Sequence, residues 1–208
     1  MKYLASTAAL AAALLAPLAA QAQELVPGAV RVSPMFGLDF TGGGKTLADV
    51  QYQDGSTQKI RSGGTAQFYV GGELRQVASP IALQATIGYH YDTTTADNGD
   101  VTFSRVPFEL LGMFNVQERF RLGAGLRYDS NVHMGASGAA DSPENHVKFD
   151  NAAGLVLKAE YMVFHEVGLE VKYVNIRYKA TEIGGQQISG APSIDASHFG
   201  IGMNYHFR

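Results

Sequence analysis

Along most of the chain, apolar and polar side chains take turns. In RFRLGAGLRYDSN, residues 119–131, one alternate set is Phe120, Leu122, Ala124, Leu126 and Tyr128, and the other is Arg119, Arg121, Gly123, Gly125, Arg127 and Asp129. Successive side chains of a β-strand point to opposite faces, so the stretch predicts a strand with one apolar and one charged face. The same division recurs in TAQFYVGGELR, where Ala66, Phe68, Val70, Gly72 and Leu74 oppose Gln67, Tyr69, Glu73 and Arg75. In IALQATIGYHYD, Ile81, Leu83, Ala85, Ile87, Tyr89 and Tyr91 oppose Gln84, Thr86, Gly88, His90 and Asp92. In SHFGIGMNYHFR, Phe199, Ile201, Met203, Tyr205 and Phe207 oppose His198, Gly200, Gly202, Asn204 and His206. VSPMFGLDF, RVPFELLGMF, NAAGLVLKAEY and GLEVKYVNIRY repeat it less regularly, the last losing phase near Val174 and Asn175, where a bulge or the end of the apolar zone is expected. The count is eight strands.

The connections alternate too. QVASP, NVQE and VFHE are short, whereas the linkers at about 42–64, 93–100, 130–147 and 181–195 are long, polar and glycine-rich. Short turns at one end and long loops at the other characterise an outer-membrane barrel with its short turns in the periplasm.

A β-sandwich or lipocalin-like barrel would bury the apolar face and hydrate the charged one; a membrane barrel inverts this. Three features favour inversion. The glycines Gly71, Gly88, Gly123, Gly125, Gly154, Gly200 and Gly202 fall on the charged face, where a narrow lumen needs room. Aromatic residues gather at the ends of the apolar face: Phe40, Tyr89, Tyr91, Tyr128 and Tyr173 toward the long loops, Phe114, Phe120, Tyr161, Tyr205 and Phe207 toward the short turns. These form two interfacial girdles. The apolar runs also have about the nine to eleven residues that a tilted strand needs to cross hydrocarbon. The expected fold is therefore all-β: an eight-stranded, antiparallel, up-and-down transmembrane β-barrel whose eighth strand pairs with the first, because an open edge in lipid leaves backbone groups unpaired.

Eight strands leave a lumen that side chains fill, which predicts no general porin channel. Glu73, Arg75, Arg121, Lys158, Glu160, Glu170 and Lys172 are expected in the periplasmic half of the lumen, with Glu109 near mid-height. Four acids against four bases predict an interlocked salt-bridge plug, either a gate or proton path or simply the core of an inside-out protein. Toward the loops, Asp39, His90, Arg127, Asp129 and His198 are the candidate residues of an upper-lumen pocket.

Residues 1–22 differ from the rest: Lys2, an apolar run from Leu4 to Leu18, then Ala20-Gln21-Ala22. This reads as a secretory signal peptide cleaved after Ala22, leaving 23–208 as the barrel domain. Without Lys2, 15 basic residues face 19 acidic ones, and no basic run supports nucleic-acid binding. No cysteine is present, which excludes a lipoprotein anchor, disulfides and thiolate chemistry.

With these strands in place, the chain resembles the small eight-stranded outer-membrane barrels that include the outer-membrane protein A transmembrane domain and the X, W and opacity-type proteins. The resemblance covers residues 31–208 and is most specific in the final hairpin, VGLEVKYVNIRYKATEIGG to IDASHFGIGMNYHFR, which is similar to the W-type ending. The chain lacks tryptophan, and Arg208 follows Phe207 where the family ends on phenylalanine. The resemblance implies a Gram-negative outer-membrane location, insertion by the barrel-assembly machinery, and contact with outer-membrane lipid and lipopolysaccharide; it names no substrate. A monomer without cofactor is expected.

GGGKT at 42–46 is not a phosphate loop, because Asp39 stands where that motif needs glycine. A lipid A-modifying enzyme would place Ser, His and an acid near the outer leaflet; Asp129, Ser130 and His133, with His90 and Asp92, are the candidates, against a reading as loop polar residues and strand ends. The six histidines are scattered and predict no metal site. The expected role is structural or surface interaction through the long loops, with passive uptake of small apolar molecules by lateral opening, or lipid A modification, as alternatives.

Overall fold

The alternating segments are strands, and they close on themselves. The computed structural model describes residues 28–51, 57–96 and 99–207; the expected signal peptide lies outside the described residues. The strands are β1 (Val30–Gly43), β2 (Thr46–Gln51), β3 (Thr57–Arg61), β4 (Ala66–Gln76), β5 (Ile81–Ala96), β6 (Gly99–Asn115), β7 (Phe120–Gly138), β8 (Val147–Phe149), β9 (Ala152–Met162), β10 (Val167–Asn175), β11 (Arg177–Ile183), β12 (Gln186–Gln187), β13 (Ser193–Asp195) and β14 (His198–His206). Eight of them pair antiparallel in the ring β1, β4, β5, β6, β7, β9, β10, β14 and back to β1. The closing seam sets Phe36 against Tyr205 and Phe40 against Ile201. Every strand of the ring therefore has a partner on both sides, which is the condition for a sheet to stand in hydrocarbon.

The polarity is inverted. Leu126, Leu155, Leu157, Phe199 and Ile201 project outward, Ile201 with 67% of its surface exposed, while Arg105, Arg127, Asp129 and Glu160 are buried inside. All ten aromatics assigned to the girdles lie on the outward face. Phe36 joins Tyr205 and Phe207 at the periplasmic end, with ring centroids 5.7 and 5.9 Å away. Phe199 joins Tyr173 at 4.7 Å toward the extracellular end.

All four of the segments expected as loops contain strands, β2 and β3 lying in 42–64. β5 continues to Ala96, β6 begins at Gly99, β7 runs to Gly138, and β8, β11, β12 and β13 add a crown of short strands above the barrel. Alternation is hidden there by a bulge whose position differs from the one expected. Between the pairs Val106–Ser130 and Ser104–His133, β7 carries one extra residue, and Asn131 takes a left-handed φ of 53°. One added residue flips the parity, so the inward residues change from Arg127 and Asp129 to Val132 and Met134. Near Val174, by contrast, the phase is kept: Val174, Ile176 and Tyr178 all point inward and are buried. What changes at that level is the interior, which becomes apolar, with Phe103, Phe149 and Tyr178 packed together at centroid separations of 5.7 to 6.2 Å.

Candidate functional site

The lumen holds a continuous ladder of charge. At its periplasmic end Arg75 lies 2.8 Å from Glu73, and Arg121 forks between Glu73 and Glu160, 2.7 Å from each. Lys158 sits 3.9 Å from Glu160 and 2.6 Å from Glu170. Lys172 gathers three carboxylates, with Asp39 at 2.7 Å, Glu170 at 3.1 Å and Glu109 at 3.4 Å. Arg127 then joins Glu109 to Asp129, both at 2.8 Å, and Arg105 ends the series 3.6 Å from Asp129.

Six acids alternate with six bases, so each ion taken out of water meets its countercharge. Removing one member would leave a buried charge uncompensated. Neutral groups occupy some of the remaining valences. Gln84 donates to Glu73 at 2.8 Å and accepts from Lys158 at 3.2 Å; Gln67 accepts from Arg127 at 2.8 Å; Asn204 donates to Glu170; Tyr178 donates to Asp129 at 2.5 Å. Tyr69 lies flat in the lumen with the Lys172 ammonium 4.3 Å from its ring centroid, a cation–π contact. Its ring occupies the space where a side chain at Gly37 would stand, so glycine is required on the neighbouring strand.

The extracellular mouth is covered. Arg105 donates to the carbonyl of Gly63 at 2.9 Å, and Gly64 passes so close to the His90 ring that a Cβ there would overlap it. Ser62, fully buried, donates to the carbonyl of Asp195 at 2.8 Å and accepts from the backbone N–H of Lys45 at the same distance. Asp92 accepts from the N–H of Arg61 at 2.7 Å and from the Thr65 hydroxyl. Backbone from the β3–β4 turn and the segment after β13 thus roofs the ladder. Below, the lumen opens on the periplasmic side into a cavity of about 360 Å³.

The structure brings all eight expected plug residues into one network, and it merges them with three of the upper-lumen group. Asp39, Arg127 and Asp129 are ladder members. His90 sits beside them, its Nδ1 3.0 Å from Arg127 Nη2 and its Nε2 2.8 Å from the Thr41 hydroxyl and 3.3 Å from Arg105 Nη2. His198 donates from Nδ1 to the Ala196 carbonyl at 2.8 Å and stacks edge-on against His90. The five upper-lumen positions are therefore packed with ion pairs and hydrogen bonds. Arg105 was not among the expected plug residues, although it shares odd parity with Glu109; it is fully buried, and its guanidinium lies 5.0 Å from the Phe103 ring centroid and 5.7 Å from that of Tyr178.

The candidate triad is not assembled. Asp129 is held by Arg127, Arg105 and Tyr178; Ser130 donates to the Val106 carbonyl at 3.3 Å; and Asp92 serves the β3–β4 turn. His133 contacts Ser104 instead, at 3.3 Å, a pairing created by the bulge, and Ser104 is itself buried. Among the described residues no group of three or more His, Asp and Glu is placed to hold a metal ion.

A closed ring of strands with an oily exterior and an ion-paired core defines a β-barrel membrane protein. The chain belongs to the outer membrane protein beta-barrel domain family, whose model matches residues 8–207, and this places it in the Gram-negative outer membrane. Among solved structures it is similar to Neisserial surface protein A, with 10% identity and a TM-score of 0.47 over 86% of this chain and 99% of that one. It is also similar to Ail of Yersinia pestis, with 11% identity and a TM-score of 0.46 over 88% of this chain and all of that one, and to OprG of Pseudomonas aeruginosa, with 16% identity and a TM-score of 0.40 over 89% and 100%. No curated protein matches the chain in sequence.

Proposed function

We propose that the protein is a sealed, monomeric, non-enzymatic barrel whose role is structural or interactive, exerted at the cell surface by the strand crown and its loops. The observation that carries this reading is the unbroken ladder from Arg75 to Arg105 under a roof of backbone. An ion crossing such a lumen would have to separate several buried pairs at once, each costing about 3–5 kcal/mol to break. The crown, in contrast, is anchored by its own apolar interior and presents exposed polar side chains such as Lys148, Arg177 and Lys179 to the medium. Contact with lipopolysaccharide and delivery by the barrel-assembly machinery belong to the same proposal. Transport of apolar molecules would be favoured by an apolar pocket beside Asp39, His90, Arg127 and His198, where ion pairs and hydrogen bonds stand instead.

Single-channel recording of the folded protein in a planar bilayer tests the reading. No steady conductance is expected at neutral pH; a persistent open level would refute the sealed lumen.

A further inference from the structure

The periplasmic vestibule adds arginines that the ion-pair ladder does not use. Its walls carry four arginines, Arg31, Arg75, Arg119 and Arg121, against two carboxylates, Glu73 and Glu118. Glu73 is already shared by Arg75 and Arg121. Arg31 stands directly opposite Arg75 in the β1–β4 ladder, a like-charge cross-strand pair that is destabilising when nothing lies between its members. No ion pair is formed by Arg31 or Arg119 among the described residues, and the buried guanidinium of Arg121 on the cavity wall leaves its Nε without a partner there. His165 and His206 add further nitrogen donors at rim and floor.

We propose that this vestibule is a binding site for a soluble periplasmic oxyanion of the phosphate class, one carrying at least two negative charges. Planar guanidinium forks match tetrahedral phosphate oxygens in pairs, and a doubly charged ligand supplies countercharge to the two arginines, Arg31 and Arg119, that form no ion pair among the described residues. A cavity of about 360 Å³ has room for pyrophosphate or a small phosphorylated metabolite. The site lies at the opposite end from the crown and does not depend on the lumen being sealed.

The test is an NMR titration of the full mature chain, folded in zwitterionic detergent at low ionic strength, with inorganic pyrophosphate. The arginine Nε–H signals of Arg31, Arg119 and Arg121 are expected to shift saturably, and the apparent affinity to weaken at least about tenfold in Arg31→Gln/Arg119→Gln. Neither residue pairs with the ladder, so the variant should keep heat-modifiable gel mobility; if it does not, Arg119→Gln alone, in a turn, carries the comparison. Absence of a saturable shift, or equal affinity in folded wild type and variant, overturns the proposal. Shifts that arise only when phosphatidylglycerol bicelles replace pyrophosphate assign the anion to a lipid headgroup and overturn the soluble ligand.

Discussion

Below Arg105 the strands enclose charge and show apolar side chains to their surroundings; above it, the extensions of β5, β6 and β7 and the short strands of the crown enclose apolar side chains and show charge. In the lower region Glu109, Arg127, Lys172 and Glu170 are interior while Leu110, Leu126 and Val171 are exposed. In the crown Val101, Phe103, Met134, Val147, Phe149 and Tyr178 are interior, and Lys148, Arg177 and Lys179 are exposed. The backbone does nothing different in the two zones, since both are antiparallel ladders with side chains alternating in and out. What differs is the surrounding medium. Lipid makes the apolar face the favourable outside and leaves the interior to whatever charges can satisfy one another, whereas water restores the ordinary hydrophobic arrangement. Arg105 marks the frontier, with Asp129 on one side of its guanidinium and the rings of Phe103 and Tyr178 on the other.

This contrast can be broken most severely within the ladder. Arg127→Ala removes the cation that joins Glu109 to Asp129 and leaves them only the longer contacts to Lys172 and Arg105, and a loss of about 3–5 kcal/mol is expected in denaturant unfolding from lipid vesicles. Retained stability would mean that water reaches the ladder and solvates it. A reciprocal pair of exchanges probes the outer faces. Leu157→Lys, on the lipid side of β9, should cost about 2–4 kcal/mol. Lys179→Leu, on the outer face of the crown, should stay within about 0.5 kcal/mol by the same assay. Equal costs would erase the frontier. Gly37→Val should cost about 1–3 kcal/mol by displacing Tyr69 from beneath Lys172, a change that the tyrosine fluorescence of the folded barrel would report.

The smallest effect concerns the crown and acid. Hydrogen bonds from the Ser197 hydroxyl and backbone N–H hold the Asp195 carboxyl below its ordinary range. A carboxyl with a depressed folded-state pKa contributes stability that is present above the unfolded value and is lost as pH falls through the folded one. The protection of the Ser197 amide, measured against its intrinsic exchange rate at each pH, should therefore fall on acidification below the usual carboxylate range, and Asp195→Asn should flatten that dependence. An unchanged profile in the variant would remove Asp195 from the crown's acid response.

Much of the lower region was legible in the letters. Period-two alternation in β4, β5, β7 and β14 assigned every side chain to a face, and parity alone placed Glu73, Arg121, Glu160 and Lys172 on one side. The same reasoning carried to Arg105 would have included it. The crown was less legible for a specific reason: the extra residue at Asn131 shifts β7 by one position, so Val132 and Met134 fall on the parity that had been outward, and the segment reads as loop. Near Val174 the alternation continued, but an apolar residue at an inward position looked like an error of phase.

Sequence alone determined the eight spanning strands, their two faces, the alternation of short and long connections and the compartment, because these follow from local periodicity and from what each medium tolerates. Tertiary structure decided which acid meets which base, where the bulge lies, that backbone from distant segments roofs the lumen, and that unpaired arginines converge at the periplasmic mouth. Those features depend on the register between strands far apart in the chain, and a period of two residues says which face a side chain takes but not what stands across from it.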